Sequence, residues 1–346
     1  MTEDKIKDVA VIGAGVAGIS AALTLSESGI LAEVFEKEAA PGGHVQRWHS
    51  LFPDGENAPE LADRYRGELI TRGISVTTGS EIVSIARTNG HYTLATREGA
   101  EEKFRAVVIS TGYRLFDAAL KEEYGYGLYP YVITSADLEK RLEQGAEALQ
   151  VGGVLPKRIG FVHCVGSRDA KVGNLWCSRV CCVTGVKQAI AVKQLFPACE
   201  VFNFYMDLRM FGVGYEELYQ QAQEQYHIHF IRGRVSEAAP THSGAVQIKA
   251  EDTLLGAPLK MEVDWLVLLV GMEPAEETAR LTALLPVRRD SSGFLKGQES
   301  LLQPWTTPEQ GVFIAGTCCG PATIPESITQ GRAAAASVVQ YLSGKS

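Results

Sequence analysis

The stretch KDVAVIGAGVAGISAALTLSESGILAEVFEK restricts the possible fold more than anything else in the 346 residues. A short buried-strand pattern, KDVAVIG, runs into a helical one, VAGISAALTLSESG, which closes at Gly29 before a second strand, LAEVFEK. The junction is GAGVAG. Gly13 permits a tight turn, Gly15 lets main chain approach a pyrophosphate, and Gly18 allows helix and sheet to pack closely. The helix start offers unpaired N–H groups to the phosphates. Glu36 ends the second strand, 18 residues beyond Gly18, where a carboxylate can accept both hydroxyl hydrogen bonds of an adenosine ribose. Glycine triplets alone describe any tight strand-to-helix turn. With strand, helix and acid in register, this one reads as a dinucleotide site.

The α/β alternation continues. A helix is expected over 58–72, strands over 74–98 with Asn89-Gly90 as a hairpin turn, and a buried strand at FRAVVISTG. Periodicity weakens over 118–157 apart from a helix at SADLEKRLEQG. A second alternation then begins, with strands at RIGFVHC, CEVFNFYM, HIHFIRGRV, GAVQIKAE and VDWLVLLVG and helices at CVTGVKQAIAVKQLF and YEELYQQAQEQY. The last element is a helix after GVFIAGTCCGPAT. A chain of this length suggests two domains, expected at 1–117 plus 285–346 and at 118–284. Both have a nucleotide-binding (Rossmann-like) character. Apolar residues make up 45% and charged residues 21%, the balance of a globular protein. A net charge of −8 with scattered lysines and arginines argues against nucleic acid. The charged start and the lack of an apolar run near 18 residues lead to the expectation of a cytoplasmic protein, neither secreted nor membrane-inserted.

Three further segments resemble the two-dinucleotide-binding-domain flavoproteins. EKEAAPGGHVQ, from Glu36 and Lys37 to Gly42 and Gly43, is similar to their E-x-x-x-x-x-G-G continuation. VVISTG, ending at Thr111 and Gly112, is similar to their strand-plus-T-G signature. GVFIAGT, with Gly316 and Thr317, resembles their C-terminal flavin-contacting strand, and the family places the start of the closing helix, here Ile324, near the flavin. The resemblance implies FAD and a thioredoxin-reductase-like architecture. One departure stands out: the usual aspartate after the final A-G is replaced by Thr317, followed by Cys318 and Cys319.

The second alternation lacks its own fingerprint. Where pyridine-nucleotide disulfide reductases carry a G-x-G-x-x-G for NAD(P)H, this chain reads PKRIGFVHCVGSRD. The run CVGSRDAKVGNLWCSRVCC then sets Cys164, Cys177, Cys181 and Cys182 at C-x12-C-x3-C-C, four of the seven cysteines within nineteen residues. Four thiolates suit a 4Fe-4S cluster or a tetrahedral zinc, and composition does not separate the two. Chance clustering of buried thiols is the bland alternative. A disulfide is disfavoured in a reducing compartment.

HCVGSRDAKVGNLWCSRVCCVTGVKQA, FNFYMDLRMFGVGYEELYQQAQEQ and AGTCCGPATIPESITQGRAAAA together resemble the heterodisulfide reductase A-subunit family, including its relatives in sulfur-oxidising prokaryotes. The resemblance implies a 4Fe-4S cluster on Cys164, Cys177, Cys181 and Cys182 and a lysine near the flavin ring, here Lys187. It further implies a homodimer, association with other heterodisulfide-reductase-like subunits, and electron transfer between FAD and cluster in disulfide or sulfur metabolism. The additional cysteine-rich domains of methanogenic members have no counterpart among the three remaining cysteines. Two rival readings are a stand-alone NAD(P)H:acceptor flavin reductase, which direct bleaching by NADH or NADPH would reveal, and a structural zinc-and-FAD scaffold, which metal analysis would reveal. Among lesser features, Cys318-Cys319 is read as small residues packing a loop, with a vicinal disulfide as the alternative, and Cys199 as core. His44, after the Gly42-Gly43 pair, is read as a solvated turn residue with cofactor contact as the alternative, and His163, His227 and His229 as structural. MFGVGY is a candidate partner-facing loop.

Overall fold

The computed structural model describes residues 6–242, 244–283 and 285–344. The chain forms two compact units: the first takes residues up to Gln46, Pro59–Arg114 and everything from Glu273 onward, and the second takes Arg47–Ala58 and Leu115–Met272. The chain returns to the first unit at Glu273 and not at the expected residue 285. The reason is that helix Glu276–Thr282 buries Leu281, with Leu285, beside Ile82, Ile85 and Leu94 of that unit. Arg47–Ala58 lies in the second unit because its side chains and main chain are engaged there: Phe52 meets Tyr215 edge-on at 5.5 Å, and the His49 N–H donates to Glu139.

In the first unit, strands Lys7–Ile12 and Ala32–Phe35 are parallel and joined by helix Val16–Glu27. The sheet runs Ser75–Thr77, Ala32–Phe35, Lys7–Ile12, Glu101–Ile109, His91–Thr96 and Ile82–Thr88. Strand Val312–Ile314 pairs in parallel with the far half of Glu101–Ile109. Val9 and Val11 enter one core and Ala10 and Ile12 the other, so the central strand is apolar on both faces, as a covered parallel strand must be. The Asn-Gly turn forms as expected. Both of its residues have positive φ, the primed-turn geometry that matches strand twist. The closing helix Ile324–Leu342 starts with a capping box in which Thr323 and Glu326 satisfy each other's main-chain N–H.

The second unit has a five-stranded parallel sheet in the order His229–Arg232, Glu200–Tyr205, Arg158–Val165, Trp265–Val270 and Val132–Thr134. Helices Ser135–Gln144 and Cys181–Leu195 share one core with it. A separate antiparallel sheet of Val235–Pro240, Val246–Asp252 and Ala257–Val263 has its own core with Phe116, Tyr124 and Val162. Only the middle strand of these three is legible in sequence: Ala257–Val263 contains Pro258 and is mostly exposed, so alternation is faint. Among the described residues no helix is long and apolar enough to cross a membrane.

The second unit also buries a charge. Lys121 Nζ contacts Asp169 at 2.6 Å and Glu123 at 2.8 Å, with Lys121 and Asp169 side chains both 5% exposed. Burial alone would raise the Asp169 carboxyl, but hydrogen bonds from Lys121 and the Lys171 main chain, with the charges of Lys121 and Arg234, hold it below the usual carboxylate range. Burial likewise opposes the Lys121 ammonium, and its two carboxylate partners more than compensate, raising it. The Asp169 contribution is therefore present above the ordinary carboxyl range and fades as pH falls through its lowered value. The Lys121 contribution is present below the ordinary lysine range and fades as pH rises through its raised one. Asp169→Asn removes one of the two carboxylates that answer the buried ammonium, leaving Glu123, and is expected to cost about 1–3 kcal/mol in urea denaturation at neutral pH. The gap between variant and wild type should narrow in acid, where the wild-type carboxylate is itself lost.

Candidate functional site

The first-unit site is built from atoms that leave no room for side chains. A Cβ on Gly13, which has φ +100°, would stand 2.4 Å from Ser110 O. One on Gly18 would stand 2.0 Å from Gly13 O and 2.6 Å from Ser110 Oγ. The Ser110 hydroxyl donates toward the Ile12 and Gly13 carbonyls at 3.0 Å, tying the turn to the neighbouring strand. Gly15 differs. Nothing lies within 4 Å of its missing Cβ, so it faces open space at the N-terminus of helix Val16–Glu27.

Glu36 is buried, and its carboxylate is aimed by main chain: Oε2 accepts from Ala14 N–H at 2.7 Å and Oε1 from Glu38 N–H at 2.9 Å. Each oxygen keeps lone-pair capacity for a ribose hydroxyl. Gly43, at φ +58°, brings its missing Cβ to 3.0 Å from Gly15 Cα, and Gly42 N–H donates to Ala14 O at 2.8 Å. The E-x-x-x-x-x-G-G segment thus folds back against the first turn. Gly112 and Thr317 are neighbours, with Thr317 Oγ1 3.8 Å from the Gly112 Cβ position. Thr111 is hydrogen-bonded to Thr278 at 2.7 Å. Gly316 donates its N–H to Gln330 Oε1 at 2.8 Å, and Ile324 opens the closing helix beyond it. Lys37 is half-exposed and ion-paired with Glu277.

His44 is not merely solvated: it stacks on Tyr113 with centroids 4.1 Å apart and its Nε2 lies 3.0 Å from Tyr113 O. Cys318 and Cys319 are free thiols with their sulfurs 3.8 Å apart. Cys318 is fully buried, its Sγ directed at Ala315 O and Ile109 O. Hydrogen bonding from Cys319, then from the Ala315, Gly112 and Thr111 main chain, outweighs burial and lowers its pKa.

In the second unit, strand Arg158–Val165 carries one residue too many. Leu268 pairs with Val162 and Val270 with Val165, so two strand residues, His163 and Cys164, oppose Leu269 alone. Cys164 takes φ +61°, uncommon outside glycine and characteristic of a bulge. Ile159 and Phe161 face helix Cys181–Leu195, while Val162 and Val165 face the antiparallel sheet. The extra residue turns Cys164 toward the helix side with His163. There the Cys164 and Cys181 thiols hydrogen-bond, as do those of Cys181 and Cys182 at the first two helical positions.

Hydrogen bonding from Cys181 lowers both Cys164 and Cys182 despite burial, and the His163 ring adds to the effect. Cys181 is correspondingly raised by its two sulfur partners and by burial. Cys177 is held by another contact, its Sγ accepting the Arg179 N–H at 3.3 Å. Cys199, as expected for a core thiol, is pushed up to about 12 by burial.

The intervening loop is pinned at several points. Asn174 Nδ2 donates to Gly166 O at 2.9 Å, Arg168 pairs with Asp207, and the Met272 N–H donates to Ser178 Oγ at 2.8 Å. Three of the four predicted cysteines are therefore adjacent as thiols. Among the described residues no three His, Cys, Asp or Glu side chains converge at ligating geometry. The donor set has the chemistry a soft metal needs, four sulfurs, of which Cys164, Cys181 and Cys182 are hydrogen-bonded to one another and Cys177 stands apart on the Arg179 N–H.

Lys187 is buried. Its Nζ donates to Glu139 Oε1 at 2.5 Å and Ser50 O at 2.8 Å, and Gln188 Nε2 also reaches Glu139 Oε1 at 2.6 Å. The expected flavin lysine thus carries a carboxylate partner that sequence spacing did not indicate. The acid lies on another helix, and only the apolar pattern of SADLEKRLEQG was readable.

The contrast between Gly15 and Gly18 makes a clean test. Gly15→Ala meets open space at φ −75°, so the protein should fold with stability within about 0.5 kcal/mol of wild type. It should nonetheless retain little dinucleotide, because the methyl group stands where a pyrophosphate must approach. Gly18→Ala should instead lower the melting temperature markedly. Thermal unfolding alongside assay of nucleotide released on denaturation checks both.

Several known proteins resemble the chain. A family model described as pyridine nucleotide-disulphide oxidoreductase matches residues 7–155. The iron-sulfur A-subunit of the CoB–CoM heterodisulfide reductase of Methanocaldococcus jannaschii is 42% identical over 244 residues, covering 68% of this chain and 37% of that protein. The A-subunit of the ferredoxin/F420H2-dependent CoB–CoM heterodisulfide reductase of Methanosarcina acetivorans is 30% identical, covering 97% of this chain and 53% of that one. The chain spans about half or less of the length of these relatives. Among solved structures, thioredoxin reductase from T. acidophilum superposes with a TM-score of 0.69 at 20% identity, over 98% of this chain and 99% of its own. Lactococcus lactis thioredoxin reductase gives 0.69 at 17%, over the same shares. The fold is thus the two-domain, Rossmann-like one of thioredoxin reductases, and by sequence the chain belongs to the heterodisulfide reductase A-subunit family.

Proposed function

We propose that this chain is an FAD- and 4Fe-4S-containing oxidoreductase subunit that passes electrons between flavin and cluster within a heterodisulfide-reductase-like assembly acting on disulfides or reduced sulfur. The observation that carries this reading is the gathering of Cys164, Cys181 and Cys182 at the end of a parallel strand and the start of the next helix. The equivalent strand-to-helix junction of the first unit holds the glycine turn. Supporting it, the Methanocaldococcus relative is named as an iron-sulfur protein, and both relatives are named as reductases of a heterodisulfide.

The roles of the chain's own residues follow from its geometry. Glu36, fixed by two main-chain hydrogen bonds, orients the adenosine ribose. Gly15 admits the pyrophosphate to the N–H groups of the first helix turn, and Gly13, Gly18, Gly42 and Gly43 hold that approach open. Thr111, Gly112, Gly316, Thr317 and the helix start at Ile324 would line the flavin end, with the Gly316 N–H committed to Gln330 and the Thr111 and Gly112 main chain to the Cys318 sulfur. Cys164, Cys177, Cys181 and Cys182 would hold the cluster. When bound, FAD exchanges electrons in pairs or singly, and the cluster carries one at a time. Lys187, with Glu139 beside it, contributes a neutral pair to its surroundings and not a bare positive charge.

Anaerobic purification should yield FAD with ~4 iron and ~4 acid-labile sulfide per chain. Cys181→Ala and Cys182→Ala should each abolish the broad brown absorbance and the iron while leaving the flavin bound. One zinc per chain without sulfide would refute the cluster.

A further inference from the structure

We propose that His163 tunes the cysteine site from outside it, donating a hydrogen bond from Nδ1 to the sulfur of Cys182, with Asn203 fixing the ring tautomer. The inference rests on the reading of the cysteines as cluster ligands.

The bulge is the first reason. By putting two consecutive residues on one face, it delivers His163 to the same helix start as Cys164. The seat is tailored to a ring: a Cβ on Gly185, in the first turns of helix Cys181–Leu195, would stand 3.0 Å from His163 Cε1 and 3.1 Å from Nε2. Gly185 stands one turn along the helix that opens with Cys181 and Cys182, so the imidazole packs against the helix start that carries both thiols, and of the two it is Cys182 whose pKa the ring lowers.

The second reason is an unfinished hydrogen-bond account. His163 is 7% exposed and Asn203 is fully buried; Nε2 lies 2.9 Å from Asn203 Oδ1, while His163 Nδ1 and Asn203 Nδ2 have no partner. Buried polar groups are almost always satisfied, and unsatisfied N–H groups are rarer than unsatisfied carbonyls. A half-turn of the Asn203 amide presents Nδ2–H to Nε2, which places the ring proton on Nδ1, the buried nitrogen left without a partner. The orphaned amide N–H₂ gains an acceptor, and the group left over is a carbonyl oxygen. Against a metal-bound thiolate this is the only neutral tautomer with a donor toward the sulfur. Outer hydrogen bonds of this kind orient ligands and set the potential of iron–sulfur centres.

The test uses the whole chain with its cofactors, prepared anaerobically as wild type, His163→Leu and His163→Gln. A hydrogen bond to sulfur favours the reduced cluster. His163→Leu should therefore make one-electron reduction about tenfold less favourable, a downward shift of about 59 mV, while His163→Gln, which keeps an N–H, should recover most of it. Pulsed EPR of the reduced cluster in 15N-histidine-labelled wild type should show a weak nitrogen coupling. Equal potentials in all three proteins with full iron, or no nitrogen coupling, overturns the proposal. A strong coupling also overturns it, by making His163 a ligand. If His163→Leu does not retain iron, the wild-type coupling decides alone. A wild type devoid of iron and sulfide defeats the cluster reading itself, and this inference with it.

Discussion

Two carbonyl oxygens, those of Gly13 and Ser110, organise the first unit. They sit where the side chains of Gly18 and Gly13 would have to be, so the turn can close only with hydrogen atoms at both positions. The same closeness lets the first helix settle onto the sheet and lets the closing helix reach it in turn. There Gly331 comes so near Ala17 O that a Cβ would be 2.2 Å away. A dinucleotide site, a helix pair and the sheet centre are one steric solution, and each glycine is required by the others' positions.

The second unit solves a different problem with a related sheet. A buried parallel strand alternates its side chains between two cores, and Arg158–Val165 does so until it meets His163 and Cys164. The extra residue suspends alternation at one place and restores it at Val165, so the cores on both faces remain filled. Apolar packing and sulfur chemistry coexist because the irregularity is confined to two residues. The ion pair of Lys187 with Glu139 follows similar logic: a charge the helix buries is answered by one on a neighbouring helix, with Ser50 O as a third point of attachment.

Much of this was readable in the chain. GAGVAG, Glu36 and the alternating elements specify the first unit, because close approach and parallel pairing leave few residue choices. The cysteine spacing singled out four thiols, and the structure brings Cys164, Cys181 and Cys182 of them together. What sequence concealed depends on register and on contacts between distant segments. Nothing in RIGFVHCVG announces that His163 and Cys164 share a face, since a bulge is defined by its partner strand. Glu139 and Lys187 are 48 residues apart. Arg47–Ala58 reads as a loop of the first unit, and only its contacts with Tyr215 and Glu139 assign it to the second. Strand Ala257–Val263, exposed and interrupted by Pro258, has too little periodicity to be seen without its neighbour.

The pairing of Glu101–Ile109 has a consequence for biogenesis. Its early half is zipped to the hairpin strand His91–Thr96, made just before it, but Val107–Ile109 bonds on that side to Val312–Ile314, near the other end of the chain. A ribosome emitting this polypeptide must release the entire second unit, which ends at Met272, and the stretch up to Val312 before that edge can be covered. Until then an apolar run of unpaired main-chain N–H and C=O groups stands open to a wrong strand.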